Sequence, residues 1–283
     1  SSNRRQRQMC IRDRAYVNYN ASYDQYIDKI HGGVGVLFNA DNAGSGALKT
    51  NTISLMYSYR LQAGNNLFIG MAVQGSYQQR SLAWEKLQFG DQIDDQLGFI
   101  NPTTEVPPEN TSLGYADFAA GIVLDYSGKL YGGVAVHHLT EPNIAFYSSN
   151  ETKLPMKITA DLGYNINFGG GGGAFTEESS DFYMVVAGIY QQQGKWHQVN
   201  AGVYVVRIPI VLGGWFRHNF ERPDAFIALI GLTFNNIKIG YSYDYSLSNL
   251  QGQSGGAHEV SFAYQFNCLE KKRKIKAIKC PQF

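Results

Sequence analysis

The sequence predicts an all-β protein, an antiparallel transmembrane β-barrel, and three observations carry this prediction. Apolar and polar residues alternate with period two along much of the chain, the alternating stretches are long, and the segments between them alternate between short and long. No apolar run approaches the roughly 18 to 20 residues of a membrane helix. With 44% hydrophobic residues and a formal net charge of +1, the composition also argues against a disordered chain and against a chain that coats nucleic acid.

The alternation is clearest in residues 52–62, 157–168 and 237–245. In the first of these segments the apolar residues share one parity, as follows: Ile53, Leu55, Tyr57, Tyr59 and Leu61. Because successive side chains of a strand point to opposite faces, such a segment has one apolar face and one mostly polar face. The segments reach about 9 to 12 residues, the length of a tilted membrane strand, whereas strands of soluble proteins cluster near 5 or 6.

The connections between the predicted strands form two classes. We place thirteen strands between residues 15 and 266. The short connections are 27–32, 63–65, 126–129, 206–207 and 235–236. The long ones are 40–51, 83–114, 140–156, 218–224 and 246–257. Short turns on one side and long loops on the other are typical of outer-membrane barrels, with the loops outside the cell. Residues 169–181 and 192–195 break the alternation.

The odd strand number predicts that a strand is missing at the start. Barrels of this kind have an even number of strands, so we expect about 14, with the first strand absent before Ala15. Residues 1–14 carry five arginines and show neither alternation nor aromatic side chains. We interpret them as a foreign segment, such as an assembly scar. The predicted organisation is therefore residues 1–14 as this segment, 15–266 as the barrel and 267–283 as a periplasmic tail.

The end of the chain combines a closing strand with a basic tail. Val260, Phe262, Tyr264 and Phe266 alternate with polar or small residues and end on an aromatic side chain, which is typical of the last strand of a bacterial barrel. The first fourteen residues carry a formal charge of +4 and residues 267–283 carry +5, which leaves −8 for the 252 residues between them. We expect the tail cations either to bind a partner or to form a solvated end. They are Lys271, Lys272, Arg273, Lys274, Lys276 and Lys279.

Cys268 and Cys280 flank this basic run. The periplasm lacks a cytosolic reductant, so we expect a disulfide, which would stabilise the tail by roughly 3 kcal/mol in the chain-entropy model. Two free thiols and ligation of a metal are the alternatives.

Catalytic and metal-binding motifs are absent from the sequence. It contains no HExxH, P-loop or CxxC motif, and the five glycines of 169–173 lack the spacing of a phosphate-binding loop. His137 and His138 are neighbours on a predicted strand and point to opposite faces, so we expect histidines that pack and hydrogen-bond at the rim. His258 beside Glu259 has the same geometry. We therefore expect no enzyme activity, no catalytic residue, no cofactor and no metal.

Several separated segments carry a family resemblance. They are GGVGVLFNADNAGSGALKT at 32–50, WEKLQFGDQID at 84–94, HHLTEPN at 137–143, GYSYDYSLSNL at 240–250, GGAHEVSFAYQF at 255–266 and KKRKIKAIKCPQF at 271–283. Together they resemble the PorP/SprF family of Bacteroidetes, outer-membrane proteins associated with the type IX secretion system and gliding motility. The resemblance covers residues 15–283. The start departs from it, because no signal peptide or Asn-Pro-Ala-Tyr-type opening is present.

The resemblance implies a barrel without catalytic activity in the cell outer membrane. It would support secretion or surface anchoring of a large adhesin-type protein, with partners among the periplasmic or outer-membrane components of the secretion system, the secreted protein and outer-membrane lipid, but not nucleic acid. The alternative is an outer-membrane channel for hydrophobic small molecules, which would require a plug that the sequence from Ala15 onward does not suggest.

Overall fold

The computed structural model describes residues 16–94, 98–147, 151–168, 182–220, 222–234, 236–247 and 256–264. Within these ranges the fold is all-β: there are fifteen strands and four short 3-10 turns, with no α-helix. No helix in the described part of the chain has the length and apolarity needed to cross a membrane.

The strands are numbered in chain order. Their bounds are β1 Tyr16–Ile27, β2 Gly32–Ala43, β3 Leu48–Gln62, β4 Leu67–Leu82, β5 Ile93–Asp94, β6 Gly98–Phe99, β7 Ser112–Tyr126, β8 Leu130–His137, β9 Lys157–Asn167, β10 Phe182–Gln193, β11 Trp196–Arg207, β12 Ile210–Asn219, β13 Arg222–Phe234, β14 Ile237–Ser246 and β15 Ala257–Tyr264.

Thirteen of these strands form a single sheet in which each strand neighbours the next one along the chain. The short strands β5 and β6 pair only with each other. The registers are antiparallel, as in β13 against β14, where Phe234 faces Ile237 and Ala225 faces Ser246. The predicted all-β fold with thirteen antiparallel strands is therefore confirmed.

The connections confirm the predicted pattern in part. At one end of the strands, which we call the turn end, the connections 28–31, 63–66, 127–129, 208–209 and 235–236 are short. At the other end, which we call the loop end, residues 83–111 and 138–156 are long, as predicted.

Two predicted long connections are wrong. The connection predicted at 40–51 is only 44–47, because Asp41 and Asn42 stay in the ladder opposite Asn18 and Val17 of β1. The connection predicted at 218–224 is only 220–221, because Asn219 still pairs with Arg222 beyond a register shift at Arg217/His218. In both places polar residues continue a strand instead of forming a loop. Residues 169–181, also predicted as a connection, lie outside the described residues.

The chain divides into two compact units. Unit 1 contains residues up to 58 together with 73–119 and 138–155, and so it holds β1, β2 and the long connections of the loop end. Unit 2 contains residues 59–72, 120–137 and those from 156 onward, and so it holds the strands from β9 to β15.

Candidate functional site

One face of the strands in unit 2 carries large apolar side chains that are exposed. We call it the exposed face and the opposite one the sheltered face. On β13 the most exposed large side chains are Phe226 (47%), Ile230 (50%) and Phe234 (53%), so the two ends are aromatic and the centre is aliphatic. Further exposed aliphatic side chains on this face come from β13 and from the other strands of unit 2: Leu162, Val186, Leu212, Leu232 and Ile239.

The distance between the two aromatic ends of β13 is close to the height of the apolar band of outer-membrane barrels. Phe226 and Phe234 are eight residues apart, which corresponds to about 27 Å along a strand. With the usual barrel tilt this distance spans about 20 Å across a bilayer, close to the apolar band of about 25 Å in outer-membrane barrels. Phe168 and Phe182, stacked with ring centroids 4.8 Å apart, add to the aromatic group at the turn end. The exposed face therefore has the pattern of a lipid-facing surface.

Histidines at the loop end join the aromatic group of the exposed face. The Tyr190 hydroxyl lies 3.0 Å from His197 Nδ1, and the Phe220 ring lies edge-on to both side chains. On β14 and β15 the Tyr241 hydroxyl lies 2.7 Å from His258 Nδ1. His258 thus packs and hydrogen-bonds at the rim, as its sequence position predicts.

On the sheltered face of unit 2, aromatic rings pack over two glycines and fill the space there. A Cβ added at Gly202 would lie 2.3 Å from the Trp215 ring, and a Cβ at Gly213 would lie 2.6 Å from the Tyr204 ring. The two rings meet edge to face, with centroids 5.3 Å apart. Tyr204 packs with the buried side chains of Val185, Val206 and Val211. Close-packed side chains, and not an open apolar path, line this part of the sheet.

The long connections of unit 1 form an ordered surface, which we call the loop cap: residues 44–47, 83–94, 98–111, 138–147 and 151–155. Backbone hydrogen bonds join its segments, with Ala83 N donating to Ala47 O at 2.7 Å. The Tyr147 hydroxyl donates to Val106 O at 2.8 Å, which ties the segment after β8 to the one before β7.

Asp91 organises one part of the loop cap. Its carboxylate accepts the backbone N–H of Thr104 at 2.6 Å and hydroxyl hydrogen bonds from Thr103 and Thr104. The hydrogen bond from the Thr104 backbone is the main reason that the pKa of Asp91 is lowered. The carboxylate therefore stays ionised and holds residues 103–104 at ordinary pH.

Apolar side chains project from the loop cap. The most exposed is Val106, at 72%, and the others are Ile93, Ile100, Leu139 and Tyr147. Large apolar groups exposed on an ordered surface mark candidate sites of protein interaction. We call Ile93, Ile100, Val106 and Tyr147 the cap patch.

A buried carboxylate lies where the loop cap meets β7. Asp117 is 4% exposed, and its Oδ2 lies 2.7 Å from His138 Nδ1. Sequence reasoning missed this pair. The available signal was an acid on the sheltered parity of a strand, because Asp117 alternates with the exposed Phe118.

The structure places only some of the residues singled out from the sequence. His137 ends β8, and His138 follows the strand in a left-handed turn, so the prediction that both lie on one strand is wrong; His138 does hydrogen-bond at the rim as expected. Within the described ranges no group of three or more His, Cys, Asp or Glu side chains is arranged to hold a metal ion. All remaining candidates lie outside the described residues: Cys268, Lys271, Lys272, Arg273, Lys274, Lys276, Lys279 and Cys280.

Comparison with known protein families shows to which family the chain belongs. A family model described as type IX secretion system membrane protein PorP/SprF matches residues 3–264. This range includes most of residues 1–14, so their foreign origin stays a prediction. No curated protein matches the chain. The match covers nearly the whole sequence and agrees with the all-β fold and the apolar exposed face, so the chain belongs to the PorP/SprF family of type IX secretion system membrane proteins.

Proposed function

We propose that this protein is a non-enzymatic outer-membrane component of the type IX secretion system that supports the secretion or surface anchoring of a large partner protein of gliding or adhesin type. The observation that carries the proposal is the loop cap with its exposed apolar patch. The cap lies at the loop end, which faces outward in barrels of this kind. Internal hydrogen bonds hold it in place, so a partner that binds there loses little of its affinity to ordering the loops.

The channel alternative has less support. The rings over Gly202 and Gly213 fill part of the sheltered face, where a path for hydrophobic small molecules would need open space. Uptake of a hydrophobic substrate into vesicles that contain the protein would restore this alternative.

The cap patch supplies the first test. We expect the double variant Ile100→Ser/Val106→Ser to bind the surface protein about tenfold more weakly or worse, because exposed apolar anchors carry most of the energy of an interface. The measurement is the amount of the large protein displayed on intact cells, read by surface proteolysis.

Ile30→Ser is the matched control for this variant. Ile30 is also an exposed apolar residue of unit 1, at 43%, but it lies in a short connection at the turn end. Display should be normal in this control. Normal display in the double variant as well would remove the cap patch from the proposal.

The basic tail supplies the second test. Truncation after Phe266 should leave a folded, heat-modifiable protein in the outer membrane, because the strands precede this residue. We expect the truncated protein to lose co-purification with periplasmic secretion components, and Cys268→Ser to weaken it, since a closed loop holds the cations ready to dock. If the truncated protein captures the same components at physiological salt, the tail is a solvated end and the contact lies in the periplasmic turns.

A further inference from the structure

We propose that Asp117 and His138 form a pH-sensitive latch that holds the first part of the 138–156 connection in place. The proposal names a regulation of the loop cap and so rests on the proposed function for its biological consequence. The latch itself is a property of unit 1 and can be measured without a partner.

The geometry of the pair is that of a charge-assisted hydrogen bond. His138 Nδ1 lies 2.7 Å from Asp117 Oδ2, and the two side chains are 20% and 5% exposed. A carboxylate this buried needs hydrogen bonds and a compensating charge. Thr140 Oγ1 donates to Oδ1 at 3.4 Å and Gln78 Nε2 to Oδ2 at 3.5 Å, but both are neutral donors. Of these contacts, the imidazole is the one that can supply a positive charge.

The surrounding polar groups orient the pair. From β4, Ser76 Oγ donates to the Asp117 carbonyl at 3.2 Å, and Gln78 accepts the Tyr115 hydroxyl at 3.1 Å. The charges of Arg80 and Asp117 both act on Tyr115, so Arg80 is the nearby permanent cation on β4. On the loop side the acidic residue Glu141 follows three residues after the histidine, and its backbone N–H donates to His138 O at 3.0 Å.

The latch sits where the chain leaves β8 for the loop cap. His138 has a φ of 59° and Glu141 a φ of 43°, left-handed conformations that cost energy in residues other than glycine. Contacts must hold this strained turn. Leu139 N donates to Phe118 O at 3.0 Å, directly after the histidine, and the Asp117–His138 hydrogen bond is shorter, at 2.7 Å. Further along the same connection, Tyr147 belongs to the cap patch and donates to Val106 O, so a looser turn would disturb the patch.

The direction of the pH effect follows from the charges. The hydrogen bond is strongest when the carboxylate is ionised and the imidazole is protonated. The charge-assisted form requires a protonated imidazole, so the latch weakens as the pH rises and the imidazole loses its proton.

Hydrogen–deuterium exchange of the purified full chain in phosphatidylcholine vesicles tests the latch. We expect exchange of residues 138–147, corrected for intrinsic rates, to rise about tenfold from pH 5.5 to pH 8.5, because a charge-assisted hydrogen bond becomes a neutral one. In His138→Gln and in the nearly isosteric Asp117→Asn, exchange should be fast at both pH values. His197→Gln, which removes a histidine of unit 2, should keep the wild-type response.

Two results would overturn the latch: exchange in the wild type that does not change with pH, or a pH response that persists in Asp117→Asn. The wild-type measurement stands even if His138→Gln fails to fold. A normal latch with unchanged display in the cap-patch variant would remove the cap patch from the proposed function and leave the latch intact. Lost display in that variant with pH-independent exchange would reject the latch alone.

Discussion

Replacing Ile239 with arginine is expected to lower the free energy of unfolding in lipid by about 2 to 4 kcal/mol. Ile239 lies on the exposed face of β14, is 45% exposed, and is opposite Phe262 of β15. If this face is in contact with lipid, the substitution moves a cation into hydrocarbon. Urea unfolding of the protein in phosphatidylcholine vesicles measures the effect.

Ser242→Arg is the matched control on the same strand. Ser242 has the opposite parity and is opposite Glu259, so an arginine there gains a nearby carboxylate. This variant should lower the free energy of unfolding clearly less than Ile239→Arg does. Equal costs at the two positions would argue for a soluble sandwich with two buried faces.

Gly202→Ala is expected to destabilise the protein by about 1 to 3 kcal/mol, the usual cost of overpacking. The new Cβ would lie 2.3 Å from Trp215 Cδ2 and 2.7 Å from the backbone oxygen of Gly214, so the ring and the strand would both have to move. The measurement is again urea unfolding in vesicles.

Gly188→Ala is the control for this packing prediction. Gly188 lies on the neighbouring β10, and the nearest heavy atom to an added Cβ there is Asn200 O, at an ordinary 3.8 Å. We expect the control to be neutral or slightly stabilising. A Gly202 variant as stable as this control would mean that Trp215 does not pack over Gly202.

The sequence predicts the strands of this protein well because their two faces differ. In β3 the alternation of Ile53 and Leu55 with Ser54 survives in the structure, where Ser54 is 1% exposed and its two neighbours are at least 50% exposed. Alternation depends only on residue parity, so a single sequence is sufficient to recognise it.

Features that depend on pairing between distant segments were harder to predict. Asp41 and Asn42 have the composition of a loop, but their backbones pair with β1. Asp117 and His138 are 21 residues apart and meet only because β7 and β8 pair. Residue parity marks Asp117 as a sheltered acid, but the partner in each of these contacts leaves no local pattern in the sequence.

Surface display in a strain that lacks this protein tests the central claim most directly. The measurement is the amount of each large protein released by protease from intact cells, in the deletion strain and in the same strain carrying the wild-type gene. We predict that one particular large surface protein disappears from the deletion strain and returns on complementation, while the other surface proteins stay unchanged. An identical surface profile in both strains would contradict a role in secreting or anchoring such a protein.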